Sequence, residues 1–232
     1  MRALAITYER DAGAGVFAEA AAAREIELEP WLRREDPEPP RPVFEYDAVL
    51  VFGGSMHVDQ VDRHPWIEED RRLLAGLLQA RKPLLGVCLG AQILNLAAGG
   101  EVFRLERTEI GWPDVELTPE GRADPLTEPL GPRFEALEWH SYGCGPPPGA
   151  TVLARNEGAL QAWRPGPAAW AIQFHAEVTL SDFESWIASA KSEGKPAGVD
   201  LDKLLAETRS RIAAWNELGR GLCGRFFDAI RR

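Results

Sequence analysis

Cysteine, methionine and long apolar runs are scarce in this sequence. Its 232 residues include three cysteines (Cys88, Cys144 and Cys223) and two methionines. An odd number of widely spaced cysteines excludes a disulfide framework and a cysteine-rich zinc module, and it favours a reducing cytoplasm. No apolar run approaches the roughly 20 residues that cross a bilayer, and the start lacks a signal-peptide pattern. We therefore expect a cytoplasmic protein.

Positive charge is also in deficit, with 26 basic against 36 acidic residues and a net charge of -10. Surfaces that bind nucleic-acid phosphates or anionic lipids carry clustered lysine and arginine. We therefore expect neither nucleic acid nor a membrane as a partner. With 45% hydrophobic and 27% charged residues, the composition is that of a globular protein.

Short apolar runs alternate with helical patterns over the first 110 residues. Continuous apolar runs, as at 47–52 and 84–87, are typical of strands buried on both faces of a sheet. The alternation predicts an α/β fold, with an open, mostly parallel sheet and helices on both faces. Strands are predicted at 3–7, 25–31, 47–52 and 84–87, and helices at 16–24, 65–82 and 91–98.

The second half of the chain predicts a β-rich flank and a helical end. The sequence favours one domain over residues 1–180, with a helical extension over 181–232 packed on that domain. The predicted strands are 101–105, 113–117, 134–139, 151–155, 159–163 and 168–174, with a loop at 143–149 and helices near 180–190, 200–217 and 221–230.

Cys88 lies in the segment LLGVCLGAQIL, between a predicted strand that ends at Val87 and a helix that begins near Leu89. Gly86 and Gly90 flank it in the pattern G-x-C-x-G, which is typical of a nucleophile elbow. A helix N-terminus stabilises a thiolate, and the N–H of Leu89 would face an oxyanion formed beside the sulfur. The alternative is a buried structural cysteine in a tight turn.

His175 ends a predicted strand in AAWAIQFHAEV, and Glu177 follows two residues later. Residues i and i+2 of an extended chain share a face, so Glu177 can orient the His175 imidazole. With Cys88 this makes a Cys–His–Glu triad. The alternatives are a structural strand-end histidine or part of a metal site, for which no third ligand stands at a suitable spacing.

Gly53 and Gly54 end the predicted strand 47–52, where open α/β sheets bind ligands, and their N–H groups could face a substrate oxygen. The alternative is a plain turn. The following loop, HVDQVDRH at 57–64, is a weaker candidate for a metal site.

Three ordered motifs, VFGGSM at 51–56, GVCLGAQ at 86–92 and QFHAE at 173–177, resemble those of the class I glutamine amidotransferases. Within that family the chain is most similar to stand-alone proteins that resemble the amidotransferase domain of GMP synthase, as the segment 108–126 also indicates. The resemblance implies a flavodoxin-like fold, with the catalytic domain over residues 1–180.

The resemblance also implies roles for residues of the site. Cys88 would be the nucleophile, His175 the acid and base, and Glu177 its orienter. The N–H groups of Gly54 and Leu89 would form the oxyanion hole.

The same resemblance assigns five positions to substrate binding. Gly53 and Gln92 would contact glutamine, and the segment His140-Ser141-Tyr142 would hold its α-amino and α-carboxylate groups. Relatives often have a His-Gly-Asp pattern where this chain has WHSYG. The resemblance implies no metal and no organic cofactor.

The implied reaction is hydrolysis of glutamine, or of another γ-glutamyl compound, to glutamate through a γ-glutamyl thioester. Because the sequence has no P-loop, we expect any acceptor to be aminated by a separate synthase subunit that receives the ammonia. The alternatives are a hydrolase that acts alone on γ-glutamyl peptides or amides, and a non-catalytic binding module with the same fold.

Overall fold

A computed structural model of the chain describes residues 1–194 and 198–231. The strands of this part are β1 (Arg2–Thr7), β2 (Glu27–Leu32), β3 (Ala48–Val51), β4 (Leu84–Val87), β5 (Glu101–Gly111), β6 (Asp114–Leu117), β7 (Arg133–Glu135), β8 (Glu138–Gly145), β9 (Thr151–Arg155), β10 (Leu160–Gly166) and β11 (Ala169–Ile172). Its α-helices are α1 (Gly15–Ala22), α2 (Trp66–Gln79), α3 (Leu89–Ala97), α4 (Leu180–Glu193) and α5 (Leu201–Ile230).

Nine strands form one sheet in the order β2-β1-β3-β4-β11-β10-β9-β6-β7. The five strands from β2 to β11 run parallel, and the remaining neighbours pair antiparallel. Strands β5 and β8 form a separate antiparallel ribbon. The carboxyl ends of β3, β4 and β11 therefore lie side by side at one edge of the parallel half, where such sheets bind ligands.

Two hydrophobic clusters lie on opposite faces of the parallel strands. Side chains of α1, α4 and α5 pack on one face, and side chains of α2 and α3 pack on the other. All residues of β3 and β4 are buried, which explains their continuous apolar sequence. The expected open α/β sheet with helices on both faces is confirmed.

Several expected boundaries are wrong. Strand β5 runs to Gly111, six residues past the predicted strand 101–105. The helices predicted at 200–217 and 221–230 form the single helix α5. The strand predicted at 134–139 is interrupted between β7 and β8, and β8 extends to Gly145, inside the predicted loop 143–149. Helix α3 begins at Leu89, as the elbow pattern predicts and two residues before the predicted helical run 91–98, so that it follows Cys88 directly.

The predicted extension over 181–232 contains most of α4 and all of α5. Residues 195–197 and Arg232 of that range lie outside the described residues. Both helices contribute side chains to the cluster that covers the parallel sheet. Among the described helices, none combines the length and the apolar character needed to cross a membrane.

Candidate active site

Cys88 stands at the turn between β4 and α3 with φ 50° and ψ -111°, a conformation that side-chain-bearing residues rarely adopt. Tight packing holds this turn on both sides. A Cβ on Gly90 would lie 2.1 Å from the carbonyl oxygen of Val51, and one on Gly86 would lie 2.8 Å from the Cα of Ala91. The glycines of the G-x-C-x-G pattern are therefore required by close backbone approach.

His175 follows β11, the strand beside β4, and its Nδ1 lies 2.8 Å from Oε1 of Glu177. Both side chains are almost fully buried. Burial opposes protonation, but the charges of Glu177 and the Cys88 thiolate, with their hydrogen bonds, raise the pKa of His175 well above its usual value. Because Nδ1 faces Glu177, Nε2 is the nitrogen left for Cys88. The structure thus brings the three predicted residues together in one chain of contacts.

Helix α5 holds the segment that carries His175 through two hydrogen bonds. The indole N–H of Trp215 donates to the carbonyl oxygen of His175 at 2.7 Å. The side-chain amide of Asn216 donates to the carbonyl oxygen of Val178 at 2.8 Å. The C-terminal helix therefore fixes the backbone on both sides of Glu177.

Gly53 and Gly54 follow β3 and approach the same residues. A Cβ on Gly53 would lie 3.1 Å from Cε1 of His175 and 3.6 Å from Cβ of Cys88. Gly54 and Leu89 both line the adjoining pocket. As the first residue of α3, Leu89 has no intrahelical acceptor for its N–H, which suits the predicted oxyanion hole.

A pocket of about 560 Å³ opens beside Cys88. Among its walls are Trp139 and the α4 residue Trp186, whose indole packs edge-on against the His175 imidazole with ring centroids 4.9 Å apart. The predicted site residues that line it are Gly54, Cys88, Leu89, Gln92, His140, Ser141, Tyr142 and His175.

The Gln92 side chain is directed at protein groups within the pocket wall. Its amide nitrogen donates to the carbonyl oxygen of Tyr142 at 3.3 Å and to Oε1 of Gln173 at 3.2 Å. The Tyr142 hydroxyl donates to Asp59 at 2.6 Å, and its ring packs against His57. His57 and Asp59 of the 57–64 loop therefore contact Tyr142 and help to hold strand β8 in place.

The His140 imidazole has two carboxylate partners that the sequence did not predict, of which Glu138 is buried and Glu109 partly buried. Nε2 lies 3.0 Å from Oε2 of Glu109 and 2.9 Å from Oε2 of Glu138. Burial lowers the proton affinity of His140, but the two carboxylates outweigh it and raise its pKa to about 10. The alternation Glu138-x-His140 on one strand is the signal that could have paired these two residues, but not Glu109 with them.

Sequence reasoning also missed the contribution of α4. The indole N–H of Trp186 donates to the carbonyl oxygen of Asp11 at 2.8 Å, and the Ser185 hydroxyl donates to the Asp11 carboxylate at 2.7 Å. Trp112 does not line the pocket. Its indole N–H donates to the hydroxyl of Thr208 on α5.

Cys144 and Cys223 are both buried, and burial is the main cause that raises the pKa of each thiol. Cys144 lies on β8 and Cys223 on α5. Neither lines the pocket beside Cys88. This placement is typical of structural thiols.

Comparison with known proteins agrees with the geometry. The family model described as glutamine amidotransferase class I matches residues 18–191. The chain belongs to this family. It is 30% identical over 223 residues to the glutamine amidotransferase-like protein YfeJ of Salmonella typhimurium, covering 93% of this chain and 91% of that protein.

Two further relatives have more specific names. The chain is 35% identical over 145 residues to a subunit of the glutamine-hydrolyzing GMP synthase of Ignicoccus hospitalis, covering 60% of this chain and 71% of the relative. It is 30% identical over 147 residues to a γ-glutamyl-L-1-hydroxyisopropylamide hydrolase of a Pseudomonas species, covering 60% of this chain and 49% of the relative.

A solved structure of a glutamine amidotransferase from Thermotoga maritima superposes with a TM-score of 0.87. The two proteins are 25% identical, and the match covers 97% of each chain. The expected class I amidotransferase fold is therefore confirmed.

Proposed function

We propose that the chain hydrolyses a γ-glutamyl C–N bond, with glutamine as the simplest substrate, and releases glutamate. One observation carries this proposal. The elbow cysteine Cys88 lines a pocket and contacts an imidazole that Glu177 holds by a buried 2.8 Å hydrogen bond. This arrangement supplies a nucleophile, a proton carrier and an orienting carboxylate.

The first half of the proposed reaction forms a thioester. The Cys88 thiolate attacks the γ-carbonyl carbon, and the carbonyl electron pair moves onto oxygen, where the N–H groups of Leu89 and Gly54 stabilise the negative charge. The tetrahedral intermediate then collapses. The His175 imidazolium gives its proton to the departing nitrogen as the C–N bond breaks.

Water completes the cycle. Neutral His175 takes a proton from a water molecule, and the resulting hydroxide attacks the thioester carbon. The second tetrahedral intermediate expels the Cys88 thiolate and releases glutamate. Glu177 holds the imidazole through Nδ1 in both halves of the reaction.

The size of the pocket favours a second, narrower candidate, a hydrolase of substituted γ-glutamyl amides. The cavity of about 560 Å³ is of the size that holds drug-sized ligands, and Trp139 and Trp186 line it together with His175. Because His175 protonates the leaving nitrogen and Trp186 packs against its imidazole, we infer that a substituent on that nitrogen would contact Trp186. The Pseudomonas relative is named as a hydrolase of such an amide.

Glutamate release from glutamine, γ-glutamyl ethylamide and a γ-glutamyl dipeptide tests both candidates. We expect turnover by the wild type and none by Cys88→Ala, with Cys223→Ala as a matched control that keeps activity, since Cys223 is buried in α5. A higher kcat/KM for the ethylamide than for glutamine favours the narrower candidate.

A strong preference for glutamine instead favours a protein that passes ammonia to a separate synthase, as the name of the Ignicoccus relative suggests. Turnover that is equal in the wild type and Cys88→Ala would refute the proposed mechanism. Absence of turnover on every substrate, with and without candidate synthases, would favour the binding module.

A further inference from the structure

A cluster of one imidazole and two carboxylates lies beside the pocket, with Glu138 and His140 buried and Glu109 partly buried. Glu138 and His140 are two residues apart on β8 and share a face, and Glu109 of β5 stands directly opposite His140 in the ribbon. Three atoms of the cluster could each bind a metal ion: His140 Nε2 and one carboxylate oxygen from each glutamate. They all lie within 4.8 Å of one another.

Three polar atoms of this cluster lack a hydrogen bond, namely both carboxylate oxygens of Glu138 and Nε2 of His140. The Glu138 side chain is fully buried, and neither of its carboxylate oxygens has a hydrogen bond of acceptable geometry. His140 Nε2 is likewise buried without one, although it lies about 3 Å from both Glu109 and Glu138. Buried carboxylates need a partner, and the single hydrogen that Nε2 can carry cannot satisfy two of them.

Surrounding groups hold the ligand atoms in place. Nδ1 of His140 lies 2.9 Å from the carbonyl oxygen of Tyr142, which accepts its hydrogen and leaves Nε2 to face the carboxylates. Asn156 donates to Oε1 of Glu109 at 3.0 Å, and Gln161 donates to Oε2 at 3.2 Å. Metal-binding histidines and carboxylates are held by outer hydrogen bonds of this kind.

We propose that Glu109, Glu138 and His140 bind one divalent transition-metal ion. Two ligand atoms that each lie about 2.1 Å from an ion are about 3.4 Å apart at the tetrahedral angle and about 3.0 Å apart at right angles. The nitrogen–oxygen distances of 3.0 and 2.9 Å therefore admit an ion after a shift of about 0.5 Å or less. One imidazole and two carboxylates suit Zn²⁺, and the two negative charges balance a 2+ ion.

The ion replaces the hydrogen on His140 Nε2, and that proton passes to solvent. His140 also lines the pocket of about 560 Å³, which gives the ion a route from solvent. Bound there, the ion joins β5 to β8 beneath Ser141 and Tyr142.

Zn²⁺ is the probe in the test, and the full chain carries Cys88→Ser so that the pocket thiol cannot bind the ion. Calorimetric titration of metal-depleted protein should show one ion per chain, with release of a proton to the buffer. Glu138→Gln and Glu109→Gln should each weaken binding at least tenfold, since each removes one charged ligand.

The matched control is Glu106→Gln, which removes an exposed carboxylate from the same strand as Glu109 and should leave the affinity unchanged. Should Glu138→Gln fail to fold, Glu109→Gln on the other strand carries the comparison. X-ray absorption of the loaded protein should show nitrogen and oxygen ligands with one imidazole.

Three results would overturn the proposal. They are the absence of saturable one-to-one uptake, an affinity unchanged in the folded glutamate variants, and sulfur in the coordination shell, which would point to Cys144 or Cys223. Because binding is measured in a protein without the Cys88 thiol, the outcome is independent of the proposed hydrolysis.

Discussion

Two glycines of α5 should respond to alanine with opposite signs. In a helix interior, Gly→Ala stabilises by about 0.5–1 kcal/mol because alanine loses less backbone entropy on folding. Gly221 is exposed, and a Cβ there would meet nothing within 4 Å. We therefore expect Gly221→Ala to stabilise the protein by about 0.5–1 kcal/mol, which is roughly 1–4 °C in Tm for a chain of this size.

Gly219 lies against the segment between His175 and Glu177. A Cβ there would lie 1.9 Å from the carbonyl oxygen of Ala176, whereas ordinary contact begins at 3.4 Å, so the two segments must separate by up to 1.5 Å (3.4 - 1.9). Such overpacking costs about 1–3 kcal/mol, more than the helix gains. We expect Gly219→Ala to destabilise by about 1–2 kcal/mol.

Urea denaturation and steady-state turnover measure the two effects. Gly219→Ala should lose activity as well as stability, because displacement of Ala176 moves His175 and Glu177, and an error of 1 Å can lower a rate about 100-fold. Gly221→Ala should keep full turnover. The reasoning is refuted if Gly219→Ala is as stable and active as Gly221→Ala, since α5 would then not pack on the triad segment.

Three further substitutions test individual contacts. Glu177→Gln should lower turnover by up to about 10⁴-fold with little change in Tm, and NMR titration should show a lower His175 pKa; equal losses of turnover and stability would make Glu177 structural. Gly53→Ala places a Cβ 3.1 Å from the imidazole and should lower kcat about 10- to 100-fold, so full activity would exclude that contact. Trp186→Phe should raise KM more for substituted γ-glutamyl amides than for glutamine, and an equal rise would place the substituent elsewhere.

Local sequence patterns were sufficient to predict the buried strands and the turn at Cys88. The continuous apolar runs at 47–52 and 84–87 identified β3 and β4, and the glycines around Cys88 identified the elbow. The order of the motifs then indicated the family. These features could be predicted because burial on both faces and tight turns restrict the residue types that a position accepts.

The continuity of α5 and β8 could not be predicted, because glycines inside each element look like breakers. In α5, Gly219 is needed for close approach to Ala176, so tertiary packing outweighs its low helix propensity. In β8, Gly143 lies beneath the side chains of Leu105 and Phe103 of the partner strand. Neither contact is visible in the local sequence.

The cluster around His140 was missed for a similar reason. Glu109 lies 31 positions before His140, and the pairing of β5 with β8 alone brings them opposite each other. Trp186 lies beyond the motif that carries His175, and it reaches the pocket because α4 folds back against Asp11. Non-local pairing of this kind is set by the whole fold.

Covalent trapping tests the central claim, that Cys88 is the nucleophile, most directly. A diazoketone analogue of glutamine would be incubated with the wild type and with Cys88→Ala, and each intact mass would be measured. We predict one adduct per chain in the wild type, located on Cys88 by peptide mapping, and none in Cys88→Ala. An adduct of equal yield in Cys88→Ala, or one located on Cys144 or Cys223, would contradict the account.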